Sequence, residues 1–121
     1  MILADTSVWI DYLNGQDAEM QRRLDAGEIA MHPYVVAELA LGSLRNRSKT
    51  LLDLDLLPHV KVAQIGEVRQ LVESRKLYSR GIGLTDACLL AAALINPIQL
   101  WTRDKALRAI AEALALHVAW K

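Results

Sequence analysis

Short apolar runs alternate along this chain with longer stretches whose apolar residues recur every three or four positions, the patterns of buried strands and amphipathic helices. Met1 to Ala4 reads as a strand ending at Asp5, and Val8, Trp9, Tyr12 and Leu13 place a helix directly after it. Asn14-Gly15 breaks that helix. Asp17 to Ala26 resumes as a polar helix with Met20 and Leu24 inward, closed by Gly27. A second strand spans Ile29 to Met31, and Pro33 suits the first turn of the next helix, on which Tyr34, Val35, Glu38, Leu41 and Gly42 share one face. Leu51, Leu54 and Leu57 predict a short helix up to Pro58, and Val60 to Ala63 a third strand. Gly66 to Ser79 predicts a helix with Val68, Leu71, Val72 and Leu77 inward, ended by Gly81 and Gly83. A helix over Thr85 to Ile95, a strand over Ile98 to Thr102, a helix over Lys105 to Ala115 and a last strand at Leu116 to Ala119 follow.

Five strands alternating with helices imply an α/β fold: a mostly parallel sheet joined by right-handed crossovers, with helices on both faces. The 121 residues, 53% hydrophobic and 23% charged, suit one compact domain over 1–121, with no internal repeat or linker. Fourteen basic residues balance fourteen acidic ones, which excludes a polycationic role; a nucleic-acid partner stays open, because a local basic stripe suffices. The lone Cys88 cannot form an internal disulfide and sits in an Ala/Leu-rich segment, where an inert buried thiol and a reducing cytoplasm fit. The amino terminus lacks the basic and apolar regions of a signal peptide. The sparsely charged stretch from Gly81 to Thr102 is interrupted by Asp86 and Asn96-Pro97, so it reads as a buried helix and strand with no membrane span.

In open parallel sheets ligands bind beyond the carboxyl ends of the strands, where the following helices begin. Asp5 ends the first strand, Asp104 follows the fourth, Asp86 begins the helix leading into that fourth strand, and Glu38 lies early in the helix after the second. Each of the three aspartates also has a plainer use as a helix cap. Glu38 and Asp86 are harder to set aside, because their neighbours at helical spacing are mostly apolar and a buried unpaired charge costs several kcal/mol. Mutually repelling carboxylates are stabilised by a hard divalent cation, and all-oxygen ligands select Mg²⁺ or Mn²⁺. Such a site suits phosphodiester hydrolysis, in which the ion neutralises the phosphate and activates a bound water.

For contact with a nucleic-acid backbone, positive charge lies in three places: Arg45, Arg47 and Lys49; Arg75, Lys76 and Arg80; and Arg103 with Lys105 around Asp104. A solvated surface is the plainer explanation for these charges. Trp9 and Trp101 suit core packing better than base stacking, and His32, His59 and His117, far apart and without ligand spacing, read as structural. No nucleophile elbow, P-loop or complete dinucleotide-binding glycine pattern occurs.

Four segments, taken together, resemble the acidic motifs of PIN-domain ribonucleases: Asp5-Thr6-Ser7-Val8-Trp9-Ile10, Val36-Ala37-Glu38-Leu39, Gly83-Leu84-Thr85-Asp86, and Thr102-Arg103-Asp104. They are most similar to the VapC-type toxins of bacterial toxin–antitoxin pairs, and they span nearly the whole chain. The resemblance implies a PIN-like three-layer α/β/α fold with a five-stranded parallel sheet of order 3-2-1-4-5. It implies Asp5, Glu38, Asp86 and Asp104 as catalytic residues binding Mg²⁺ or Mn²⁺, with auxiliary hydroxyls on Thr6 and Thr102. Leu89 and Leu90 stand where some relatives carry a further acid, which bears on a second metal. The implied activity is metal-dependent endoribonuclease cleavage of transfer or ribosomal RNA, for which Arg45, Arg47, Arg80 and Arg103 of the basic residues above are the candidate backbone contacts. The implied partners are a cognate antitoxin and a second copy in a homodimer.

A housekeeping RNA-processing nuclease of the same fold, or a non-catalytic binding module whose acids serve only as caps, are the alternative readings. A haloacid-dehalogenase-like phosphatase would need an acid where Ser7 stands. Stabilisation by Mn²⁺ separates a true acidic cluster from scattered caps.

Overall fold

A computed structural model describes residues 1–15 and 17–121. The elements run β1 (Ile2–Ala4), α1 (Thr6–Leu13), α2 (Ala18–Asp25), β2 (Ile29–Ala30), α3 (Pro33–Ala40), α4 (Arg47–Asp55), α5 (Ile65–Ser74), α6 (Leu84–Ile95), β3 (Gln99–Trp101) and α7 (Lys105–Ala113). The sheet is parallel with order β2-β1-β3, so β1 is central; Leu3 pairs with Ala30 on one side and Leu100 on the other. Its strands carry apolar runs because they are covered on both faces, and Leu3, Ala4, Leu100 and Trp101 are wholly buried.

Three strands form among the described residues where five are expected. The predicted third and fifth strands lie at the outer positions of the expected order, but each is reduced to a single parallel bridge, Met31 with His59 and Leu100 with His117. The reason lies in side chains that take over the backbone groups a ladder would use. Asn96 accepts the Lys61 N–H at 2.9 Å and donates to the Lys61 carbonyl at 2.8 Å. Arg108 donates to the carbonyls of Val118 and Trp120, both at 2.9 Å. Pro58, with no N–H to give, stands beside the first of these edges.

Two predicted helices are shorter than expected. The helix read as Gly66 to Ser79 stops at Ser74, and the one read as Lys105 to Ala115 stops at Ala113. Both end in the same hydrogen-bonded turn, with Lys76 (φ 54°) and Ala115 (φ 57°) in the left-handed position usually given to glycine. The next residue then bonds back to the helix: Leu77 N–H to Val72 O at 2.9 Å and Leu116 N–H to Ala111 O at 2.8 Å. Leu77 and Leu116 are both buried, so packing of the residue beyond the turn holds a conformation the sequence does not advertise. Gly27 (φ 70°) closes α2 as expected.

The helices pack in two sets. Contacts join α1 with α2 and α3, and α3 with α4, while α5 lies against α6 around Val68, Ala87, Cys88 and Ala91. Among the described residues no helix is long and apolar enough to cross a membrane. Trp9, Trp101 and His32 are buried in the core, and Cys88 is buried with its thiol pushed up by desolvation, as an inert packing residue requires.

Candidate active site

The acidic residues gather where the carboxyl end of the sheet meets the helix starts. Asp5 leaves central β1 and caps α1: its Oδ1 accepts the backbone N–H of Ser7 at 3.0 Å and of Val8 at 3.4 Å. Asp104, three residues beyond the end of β3, caps α7 by accepting the Leu107 N–H at 2.9 Å. Asp86 lies in the first turn of α6 and accepts the Gly83 N–H at 3.4 Å. Glu38 comes from the second turn of α3, the helix that follows β2. The cap reading and the site reading of the aspartates are therefore both satisfied by the same atoms.

Hydroxyls knit the acids together. Thr6 donates to Glu38 Oε1 at 2.7 Å, joining α1 to α3. Ser7 donates its hydroxyl to Asp5 Oδ1 and accepts the Arg103 N–H at 3.0 Å. Thr102 donates to Asp5 Oδ2 and accepts the Asp104 N–H at 3.1 Å. Both oxygens of a buried carboxylate are thus held by hydroxyls, one from the helix it caps and one from the residue just past β3. Ser7 was not singled out by the sequence, although its place two residues after a strand-ending aspartate marks it as a capping partner.

Burial pushes the Asp5 carboxyl above the usual carboxylate range, against the pull of the Ser7 and Thr102 hydroxyls and the Val8 and Ser7 amides. Burial also raises Asp86; the Gly83 amide opposes this, and the negative charges of Asp5, Asp104 and Glu38 add to it. Asp86 therefore sits within the field of all three other acids. Among the described residues no three His, Cys, Asp or Glu side chains converge closely enough to hold one ion. In kind, however, the donors fit a hard divalent cation, being carboxylates and hydroxyls with no thiolate or imidazole among them.

Glu38 is exposed, and so are Tyr34 and Leu41, which were expected to share an apolar inward face with it. The buried residues of α3 are Val35 and Leu39, so Glu38 borders the core and faces the groove, where Thr6 satisfies it.

The four candidate RNA-contacting arginines divide. Arg47 donates to the carbonyls of Ala40 at 2.6 Å and Gly42 at 3.2 Å, closing the end of α3. Arg103 reaches Asp11 at 2.7 Å and Asp17 at 2.5 Å, and its guanidinium lies 5.2 Å from the Trp101 ring centre. Both guanidinium groups are thus engaged within the fold, Arg47 by backbone carbonyls and Arg103 by the buried Asp17 and half-exposed Asp11 carboxylates, with which a phosphate would compete. Arg45 and Arg80 are exposed and have no acidic partner among the described residues.

A family model described as PIN domain matches residues 2–113. The chain is 46% identical over 110 residues to Ribonuclease VapC32 from two strains of Mycobacterium tuberculosis, covering 90% of this chain and 89% of that protein. Among solved structures it is similar to a toxin–antitoxin complex from Klebsiella pneumoniae, with a TM-score of 0.67, 24% identity and coverage of 86% of this chain and 87% of that one. It is also similar to the crystal structure of FitAcB from Neisseria gonorrhoeae, with a TM-score of 0.64, 24% identity and coverage of 93% and 94%. A family match over nearly the whole length, joined to a parallel sheet with acids at its carboxyl edge, leads to one conclusion: the chain belongs to the PIN domain family.

Proposed function

We propose that this protein is a Mg²⁺- or Mn²⁺-dependent endoribonuclease and the toxin of a type II toxin–antitoxin pair, with Asp5, Glu38, Asp86 and Asp104 as its metal-holding catalytic acids. The observation that carries this reading is the linkage of acids from separate elements at one sheet edge, Thr102 joining Asp5 to Asp104 and Thr6 joining the start of α1 to Glu38. Its 46% identity to a protein named Ribonuclease VapC32 supports the substrate class. The likeness in fold to a chain solved in a toxin–antitoxin complex fits a protein antitoxin as partner. Transfer or ribosomal RNA as target, a homodimeric assembly and a cytoplasmic site of action complete the proposal.

When bound, a divalent cation would neutralise the scissile phosphate and make a bound water a better nucleophile. The chain's own groups supply the frame. Thr102 and Ser7 fix both oxygens of Asp5, so that this carboxylate holds one orientation. Asp104 is anchored through its backbone to Thr102 and keeps its other oxygen clear of the Leu107 cap. Glu38 and Asp86, less enclosed, add negative charge from α3 and α6, and the repulsion among the acids favours cation uptake. Arg45 and Arg80 are the proposed phosphate contacts.

The test is cleavage of total transfer and ribosomal RNA with Mn²⁺, with EDTA, and with Asp86→Asn alongside. Discrete fragments that vanish in both controls are expected. No cutting by folded, metal-supplied and partner-free protein would overturn the proposal.

A further inference from the structure

Two cavities run together along the flank of α1, starting at the acidic edge. The inner one, about 230 Å³, is lined by Thr6 and Glu38 of the acidic edge together with Ile10, Leu13 and Leu44. The outer one, about 420 Å³, shares Leu13, Asn14, Ser43 and Leu44 with it and is lined further by Arg45, Asn46 and Thr50. The result is a groove with a carboxylate at one end, an aliphatic middle edged by an amide and a hydroxyl, and a guanidinium at the other end.

The outer wall of the groove is built in advance. Arg47 ties the carbonyls of Ala40 and Gly42, Thr50 donates its hydroxyl to the Arg45 carbonyl at 2.8 Å, and Asn46 takes a left-handed turn with φ 47°. The backbone of Arg45 is therefore fixed, while its exposed side chain has no acidic partner among the described residues. Asn14 and Ser43 are also exposed, and their side chains make no hydrogen bond with other described residues. A fixed wall with unengaged polar groups along its rim is suited to reading a ligand without reorganising.

Each feature matches one part of a nucleotide. Aliphatic walls receive the faces of an unstacked base, an amide and a hydroxyl can pair with its edge, and a cation takes the neighbouring phosphate. An apolar peptide would use the walls and leave the rim groups and Arg45 unmatched. We propose that this groove is a nucleotide subsite flanking the scissile phosphate of single-stranded RNA, with the base between Ile10, Leu13 and Leu44, its edge at Asn14 and Ser43, and the adjoining phosphate at Arg45. The subsite rests on the ribonuclease reading of the acidic edge and supplies that reading with a source of sequence preference.

The experiment is cleavage of a randomised single-stranded RNA pool by the wild type and by Asn14→Ala, Ser43→Ala and Arg45→Ala, with cut sites read by sequencing. The wild type should favour particular bases at one position beside the cut. Asn14→Ala and Ser43→Ala should flatten that preference roughly tenfold while other positions keep theirs. Arg45→Ala should raise KM for all sequences alike and lower the slope of log affinity against log salt by about 1. Unchanged base preference in both edge variants would overturn the subsite. So would an unchanged pattern accompanied by an altered mass in light scattering, which would assign the groove to a second copy of the chain. Wild-type protein that cuts no member of the pool would remove the ribonuclease reading together with the subsite, whereas wild-type cutting with unaltered variants would remove the subsite alone.

Discussion

Thr102 donates its hydroxyl to Asp5 Oδ2 across 97 positions of sequence, and the Thr102 Oγ1 atom in turn accepts the backbone N–H of Asp104 at 3.1 Å. One small side chain thus sets the relative placement of two acids that follow adjacent strands. Both Thr102 and Asp5 are buried, so the bond is made where water cannot substitute for it.

Thr102→Val keeps the shape and removes the hydroxyl. The Asp5 oxygen and the Asp104 amide then lose their shared partner, and stability should fall by about 1–3 kcal/mol. RNA cleavage should fall as well, and Thr102→Ser should restore both. Urea unfolding and cleavage rates on the three proteins check this, and a valine variant as active as the wild type would contradict it.

Asp86→Asn removes a negative charge from the field of Asp5, Asp104 and Glu38. In EDTA its melting temperature should rise above that of the wild type, because like-charge repulsion is relieved. The gain in melting temperature that Mn²⁺ gives the wild type should shrink or vanish, and cleavage should drop on the order of a hundredfold or more. Thermal melts with and without Mn²⁺ separate an acidic cluster from independent helix caps, which would show no metal response.

Arg103 joins β3 to the α1 and α2 region through Asp11 and Asp17, and the Asp17 side chain is only 4% exposed. Arg103→Met would leave that carboxylate buried without its partner. Because Arg103 keeps 27% of its side chain in solvent, the cost should be roughly 2–3 kcal/mol, below the 3–5 of a fully buried pair. RNA affinity of the folded variant should be unchanged, whereas Arg45→Ala should weaken it. Affinity lost equally in both would restore Arg103 as a substrate contact.

His32 caps α3, the helix carrying Glu38, with Nδ1 accepting the Tyr34 N–H at 3.0 Å. Burial, with a smaller contribution from the charge of His59, lowers its pKa from 6.5 to about 4. The folded protein thus keeps His32 neutral over a range in which the unfolded chain takes up a proton. Its contribution to stability is present above pH 6.5 and is lost as pH falls towards 4, a change of about 3 kcal/mol. Urea midpoints at neutral pH and at pH 4.5 should converge for His32→Asn, which retains a capping acceptor without titrating, and diverge for the wild type.

The order of helices and strands, the capping aspartates and the inward faces of most helices are set by interactions within a few residues. They are therefore visible as periodicity and as residue types at helix starts. The positions of Asp5, Asp86 and Asp104 at one edge follow from the same reading, since a parallel α/β sheet brings all such starts together. The face of α3 departs from its periodicity because Tyr34 and Leu41 look inward by type yet are exposed, while Val35 and Leu39 carry the packing.

The sequence by itself determined the alternating α/β plan, the acids that end its strands and begin its helices, and the likeness to the PIN family. Only the tertiary structure decided which hydroxyls hold those acids, that Arg47 and Arg103 are engaged while Arg45 and Arg80 are not, and that the two outer strands shrink to single bridges. The physical reason is range. Caps and amphipathic faces are local, but Thr102 with Asp5, Arg103 with Asp17 and Asn96 with Lys61 are pairings between distant residues. Their partners are chosen by burial and competing acceptors that exist only once the chain has folded.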